Sequence, residues 1–201
     1  AFALRDLIAD MAGYIFVLIR RPISVGDRVE IMSIKGDIIS IDWFQFSMIE
    51  IGNWVDNEQS TGRIVYMPMA KILTNPLINY NGGFDWIWNE FKVVLTFESD
   101  INKAKKYFLK NILRVCEQLN DGIQKALKKA LQQHLIEYTK VDPIIYTKPI
   151  DYGIECTIRY FCPTKMRRES EELFWTVVLP KLQHDPSIQF ADSKDTVLVK
   201  G

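Results

Sequence analysis

Histidine and cysteine are scarce in this 201-residue chain, at two and three copies, and the shortage removes several kinds of chemistry. His134 and His184 stand apart with no second histidine at a ligand spacing, so neither a metal centre nor a histidine base is expected. Cys116, Cys156 and Cys162 contain no CxxC pair and sit among apolar residues. They read as core filler in a reducing compartment and argue against a disulfide framework. Cys156 and Cys162 share a strand face, but two thiols without further ligands do not hold zinc. Glycine-rich nucleotide motifs such as GxGxxG and the P-loop are missing as well. An enzyme, a cofactor and a metal are therefore not expected.

Net charge is also absent. Lys plus Arg and Asp plus Glu each number 25, so no whole-molecule field points to nucleic acid or to acidic substrates. A membrane span needs roughly 20 apolar residues. The longest apolar stretch, Leu7 to Ile19, falls short of that and is broken by Asp10. No signal-peptide pattern is visible at the N-terminus.

With 48% hydrophobic and 25% charged residues, the chain has the composition of an ordinary folded protein with one or two modest cores. A helix is expected from about Phe2 to Arg20. Ala9, Ala12 and Gly13 fall on one face as a strip of small residues, and such a strip lets identical helices approach closely. A plain buried helix of a soluble domain has the same periodicity, and both readings stand at this point. Pro22 ends the helix, because the residue before a proline disfavours the α region.

Residues 22–81 read as a small β domain. Arg28 to Ile31 and Ile39 to Asp42 alternate apolar with polar, and Lys35-Gly36-Asp37 is the expected hairpin turn. Further strands are expected at Phe46 to Ile51, Arg63 to Met67 and Leu77 to Tyr80, with a polar loop from Asn53 to Gly62. Short strands at this density favour a small barrel or sandwich. Asn81-Gly82-Gly83 is the expected boundary.

Residues 84–191 alternate element types. Strand Phe91 to Glu98, helix Ile101 to Leu119, strands Ile144 to Ile150 and Gly153 to Cys162, helix Lys165 to Leu179 and strand Ile188 to Phe190 give the βαββαβ order of a ferredoxin-like domain. Ile101, Ala104, Phe108, Ile112, Val115 and Leu119 form one apolar helix face, with Asp100 placed as its cap. Asn120 to Asp142 reads as a helix-rich insert, and Pro180 is expected to stop or kink the last helix. Residues 192–201 carry a short strand, Thr196 to Val199, that needs a partner, another subunit being one source.

The segments RRPISVGDRVEI, KGDIISI and MPMAKILTNPLINY, following a small-residue helix, resemble the small-conductance mechanosensitive channel family over essentially the whole chain. The resemblance implies an α+β chain made of four parts: the lower part of a pore-lining helix (1–21), a barrel-like, Sm-like β domain, a ferredoxin-like domain, and a short C-terminal strand. It implies a homoheptamer with membrane lipids as partners, ions and small solutes permeating, and a hollow cytoplasmic vestibule. The location implied is a bacterial inner membrane, with most of these residues cytoplasmic, and the activity is release of osmolytes on osmotic shock.

By the same resemblance Ala9, Ala12 and Gly13 pack pore helices together, and the constricting leucines fall at or before Ala1. Arg20, Arg21 and Pro22 form the turn at the membrane interface and, with Arg28, meet lipid headgroups. Arg5 and Asp6 stand where the family has small or amide residues. They are either pore-facing charges or partners in a salt bridge. Pro68-Met69 replaces the usual Pro-Asn.

A soluble ring-forming RNA-binding module on an Sm-like barrel is the second reading. Lys103, Lys105, Lys106, Lys110 and Arg114 form a basic helix face in its favour. The barrel lacks the aromatic interleaving expected for stacking single strands, so nucleic acid is not an expected partner.

Overall fold

The computed structural model describes residues 4–82, 85–119 and 142–192. It is a mixed α+β chain that divides into two compact units between Trp86 and Ile87. His134, nearly all of the 120–142 insert, the Thr196 to Val199 strand and residues 1–3 lie outside the described residues.

The first unit opens with helix α1, Arg5–Arg20. Strands β1 (Arg28–Ile31), β2 (Ile34–Ile41), β3 (Gln45–Ile51), β4 (Ser60–Pro68) and β5 (Leu77–Asn79) follow, with the short helix α2 (Ala70–Thr74) before the last. They form one sheet of order β4-β3-β2-β1-β5 in which every neighbouring pair is antiparallel. Its core gathers Val29, Ile31, Ile38, Phe46 and Met48 from the sheet with Val17 of α1 and Ile72 of α2. One face of the sheet is therefore dry.

Two expectations need correcting here. The β1–β2 turn is Met32-Ser33, both with positive φ (51° and 64°), the left-handed pair that a two-residue hairpin requires. Lys35, Gly36 and Asp37 lie inside β2 instead, and Gly36 is there for space. A Cβ on it would sit 2.8 Å from the Ile49 carbonyl oxygen and 2.9 Å from the Met48 side chain. The polar stretch 53–62 is also shorter than expected, since a 3-10 turn at Asp56–Glu58 leads straight into β4 at Ser60.

The second unit contains β6 (Trp86–Leu95), α3 (Ile101–Leu119), β7 (Ile144–Ile150), β8 (Gly153–Pro163) and α4 (Arg167–Leu182), with sheet order β6-β8-β7. Phe91, Val93 and Leu95 alternate inward from β6, and Cys156, Ile158, Tyr160 and Cys162 from β8, to meet Phe108, Ile112, Phe174 and Val178 of the helices. All three cysteines are free and buried. Asp100 caps α3, its Oδ1 accepting the Lys103 N–H at 2.9 Å. The buried Tyr160 hydroxyl is satisfied by Asn89 Nδ2 at 2.9 Å and Ser170 Oγ at 2.7 Å, and burial pushes its pKa up to about 12.

Here too the expected bounds shift. α4 runs through Pro180, because the proline falls in the last turn and the Gln183 N–H still closes on the Leu179 carbonyl. The strand expected at Ile188 to Phe190 shrinks to one bridge, Leu95 to Phe190. Strand β6 begins at Trp86 and ends at Leu95, earlier at both ends than Phe91 to Glu98.

Candidate functional site

The candidate site is the seam where α1 lies on the β sheet. Asp10, Gly13, Tyr14 and Val17 fall at helical spacing on one side of α1, and each meets the sheet domain differently. Asp10 Oδ1 accepts the backbone N–H of Ala70 at 2.8 Å, which caps α2 from another helix. Gly13 is buried so tightly that a Cβ would stand 2.6 Å from the Met69 carbonyl oxygen. Tyr14 stacks on Trp43, centroids 5.1 Å apart and planes 27° from parallel. Val17 enters the core.

The seam ends in a hydrogen-bonded corner. Arg21 adopts the left-handed conformation (φ 47°) and its N–H returns to the Val17 carbonyl at 2.9 Å, closing the helix. Asn79 Nδ2 then donates to the Pro22 carbonyl and to Asp27 Oδ2, both at 2.9 Å, while its Oδ1 accepts the Asn81 N–H at 2.8 Å. Asn81 Oδ1 in turn accepts the Arg28 N–H at 2.8 Å. One amide thus binds the helix exit, the start of β1 and the end of β5.

Arg28 is turned into the sheet domain. Its side chain is 7% exposed, and its Nε and Nη2 donate to the two Asp37 oxygens at 2.9 and 3.0 Å. Glu58 stands 3.8 Å from Nη1 and 3.5 Å from Lys35 Nζ. A guanidinium starting a strand between acids is read more naturally as an internal fork than as a lipid contact.

A second charged cluster lies at the far end of β3. Glu50 accepts from Arg63 Nε and Thr61 Oγ1, both at 2.8 Å, and from Asn53 Nδ2 at 3.3 Å. The Arg63 hydrogen bond first, then that of Thr61, hold its pKa down to about 2. Arg63 also lies 4.5 Å over the Trp54 ring.

Of the residues singled out by sequence, Ala9 is half-buried and Ala12 exposed, and Gly13 is enclosed by the chain's own Met69. Arg20 and Arg21 are exposed and Pro22 half-buried. Arg5 and Asp6 are exposed, and neither makes an ion pair among the described residues. Asp10, Trp43 and Asn79 escaped sequence reading. Asp10 looked like a flaw in an apolar run, and nothing local links it to a backbone amide 60 residues away. In the second unit Lys103 of the basic face is engaged by Asp185 at 2.7 Å and Ser187 at 2.7 Å. Among the described residues no three His, Cys, Asp or Glu side chains are grouped to hold a metal, and no helix is long and apolar enough to cross a membrane.

The beta-domain model of mechanosensitive ion channels matches residues 6–82. The chain is 29% identical over 112 residues to an MscS family protein of Buchnera aphidicola subsp. Baizongia pistaciae, covering 56% of this chain and 36% of that protein. It is 23% identical over 127 residues to the small-conductance mechanosensitive channel of Helicobacter pylori, covering 61% and 41%. The chain spans less than half the length of these curated relatives.

Two solved structures share its fold. Helicobacter pylori MscS in the closed state has a TM-score of 0.63 at 19% identity, covering 100% of this chain and 68% of that one. Arabidopsis thaliana MSL1 has a TM-score of 0.59 at 16% identity, covering 96% and 61%. Mechanosensitive channels are not enzymes, in keeping with a sequence that offers no catalytic signature. The stretch matched to the beta-domain model runs from α1 through β5 and contains the whole seam, so residues 6–82 carry the beta-domain of mechanosensitive ion channels, and the chain as a whole is similar to MscS family channels.

Proposed function

We propose that the chain is part of a pore-forming channel subunit that membrane tension opens, letting ions and small osmolytes leave the cell on hypo-osmotic shock. The observation that carries this reading is the two-sidedness of α1. One side is fastened to a folded sheet domain, while Leu4, Ile8, Ile15 and Ile19 on the other remain 52–75% exposed. A helix so divided joins an apolar environment to a rigid body. Tension would favour the state of larger in-plane area, and α1 would carry that preference into the sheet domain.

The finer reading follows the same line. Ala9 and Ala12 pack neighbouring pore helices, Arg20 and Arg21 sit by the headgroups of a bacterial inner membrane, and Arg5 and Asp6 face the pore. The open edges of the first sheet, β4 and β5, favour strand pairing between copies of an Sm-like ring, and seven copies would enclose the pore. The sheet order β6-β8-β7 with the Phe190 bridge beside β6 supports a ferredoxin-like second domain, forming the wall of a cytoplasmic vestibule.

Patch recording of the full-length protein in liposomes under pressure ramps tests the function. Stepwise currents that appear above a suction threshold are expected, and a silent membrane containing verified protein would refute it. Mass determination in detergent tests the heptamer.

A further inference from the structure

We propose that the Trp43-Phe44 corner between β2 and β3 is a lipid-contacting anchor, seating the sheet domain in the headgroup region beside α1. This rests on the membrane-channel reading and deepens it. Leu7, Met11, Tyr14 and Leu18 recur at helical spacing along one edge of α1, and Leu7, Met11 and Leu18 are 38–56% exposed. Trp43 stacks on Tyr14 in that row, so the apolar edge continues sideways off the helix onto a ring 61% exposed and then onto Phe44, 44% exposed.

The corner is held firmly, not splayed. The Phe44 carbonyl accepts the Met69 N–H at 3.0 Å, and the Asp42 N–H donates to the Gln45 carbonyl at 2.8 Å. The neighbouring acid, Asp42, is turned back to Ser40 Oγ at 3.3 Å.

Three features select lipid over a second copy as the occupant. The indole N–H of Trp43 makes no hydrogen bond among the described residues, and an apolar ring with a free donor is what the headgroup boundary accommodates. Arg20 and Arg21, both exposed, end the same helix and complement anionic headgroups. The edge between them and Trp43 is wholly apolar apart from the Tyr14 hydroxyl, the pattern of an interfacial helix.

The test uses full-length protein reconstituted in phosphatidylcholine–phosphatidylglycerol vesicles, with and without brominated phosphatidylcholine, after flotation. Trp43→Phe keeps an aromatic ring on Tyr14 and is compared with wild type and with Trp54→Phe. The expected result is that Trp43→Phe loses a component of bromolipid-quenched tryptophan emission that wild type and Trp54→Phe retain. Floating protein whose quenching is unchanged by Trp43→Phe overturns the anchor and leaves a protein surface as the cover. Protein that fails to float overturns the membrane reading and the anchor with it.

Discussion

The Asp10 carboxylate on α1 and the Ala70 amide that opens α2 are joined by a 2.8 Å hydrogen bond across 60 residues of sequence. Met69, the residue before α2, has no capping side chain of its own, so Asp10 serves in its place. Asp10→Ala should lose about 1 kcal/mol, the usual cost of a missing cap, and raise hydrogen exchange at residues 70–74. Asp10→Asn keeps an acceptor oxygen and should restore most of the protection. Equal exchange in all three proteins would deny the bond a role.

Gly13 admits no side chain, because the obstacle to a Cβ is the Met69 backbone at 2.6 Å. Gly13→Ala should destabilise the first unit by about 1–3 kcal/mol, as overpacking does, seen as a lower denaturant midpoint. In patch recordings of the full-length protein the same change should shift the opening threshold. Ala12→Leu, at an exposed position, should leave the midpoint unaltered.

Acid should loosen the far end of β3. Glu50 has its pKa lowered from 4.5 to about 2, so the folded chain binds its proton more weakly than the unfolded one. The stability it contributes is present above pH 4.5 and is lost as pH falls toward 2. Chemical denaturation across that window should be steeper with pH in wild type than in Glu50→Gln, and identical slopes would remove Glu50 as the source.

The arginines around the seam should separate by experiment. Arg28→Ala strands Asp37 in a half-buried position and should cost about 3–5 kcal/mol, as breaking a buried pair does. Arg20→Ala should leave the denaturation curve in place and weaken flotation with anionic vesicles. The reverse pattern would exchange the roles assigned to them.

Much of the fold was legible from periodicity. The start of α3 and both bounds of β7 agree residue for residue with the sequence reading, and α3 has both a regular apolar face and its own cap in Asp100. The β1–β2 turn was not legible, since Met32 and Ser33 carry no turn signature and Gly36 imitates one. A glycine required by packing and a glycine required by a turn look alike in a single sequence. The seam stayed hidden for a related reason: Asp10–Ala70, Tyr14–Trp43 and Asn79–Pro22 join positions 29 to 60 residues apart, beyond the reach of any local pattern. Small residues on α1 were visible, but Gly13's neighbour within the same chain was not.

The fastening of α1 is unequal along its length. At the Pro22 end Asn79 ties the helix exit to β1 and β5, whereas toward the other end, among the described residues, one hydrogen bond from Ala70 meets Asp10. Such a helix is a lever with its fulcrum at Pro22. Force applied before Asp10 would work with the longest arm against the weaker clasp, so α1 is expected to yield from its beginning before its exit at Pro22.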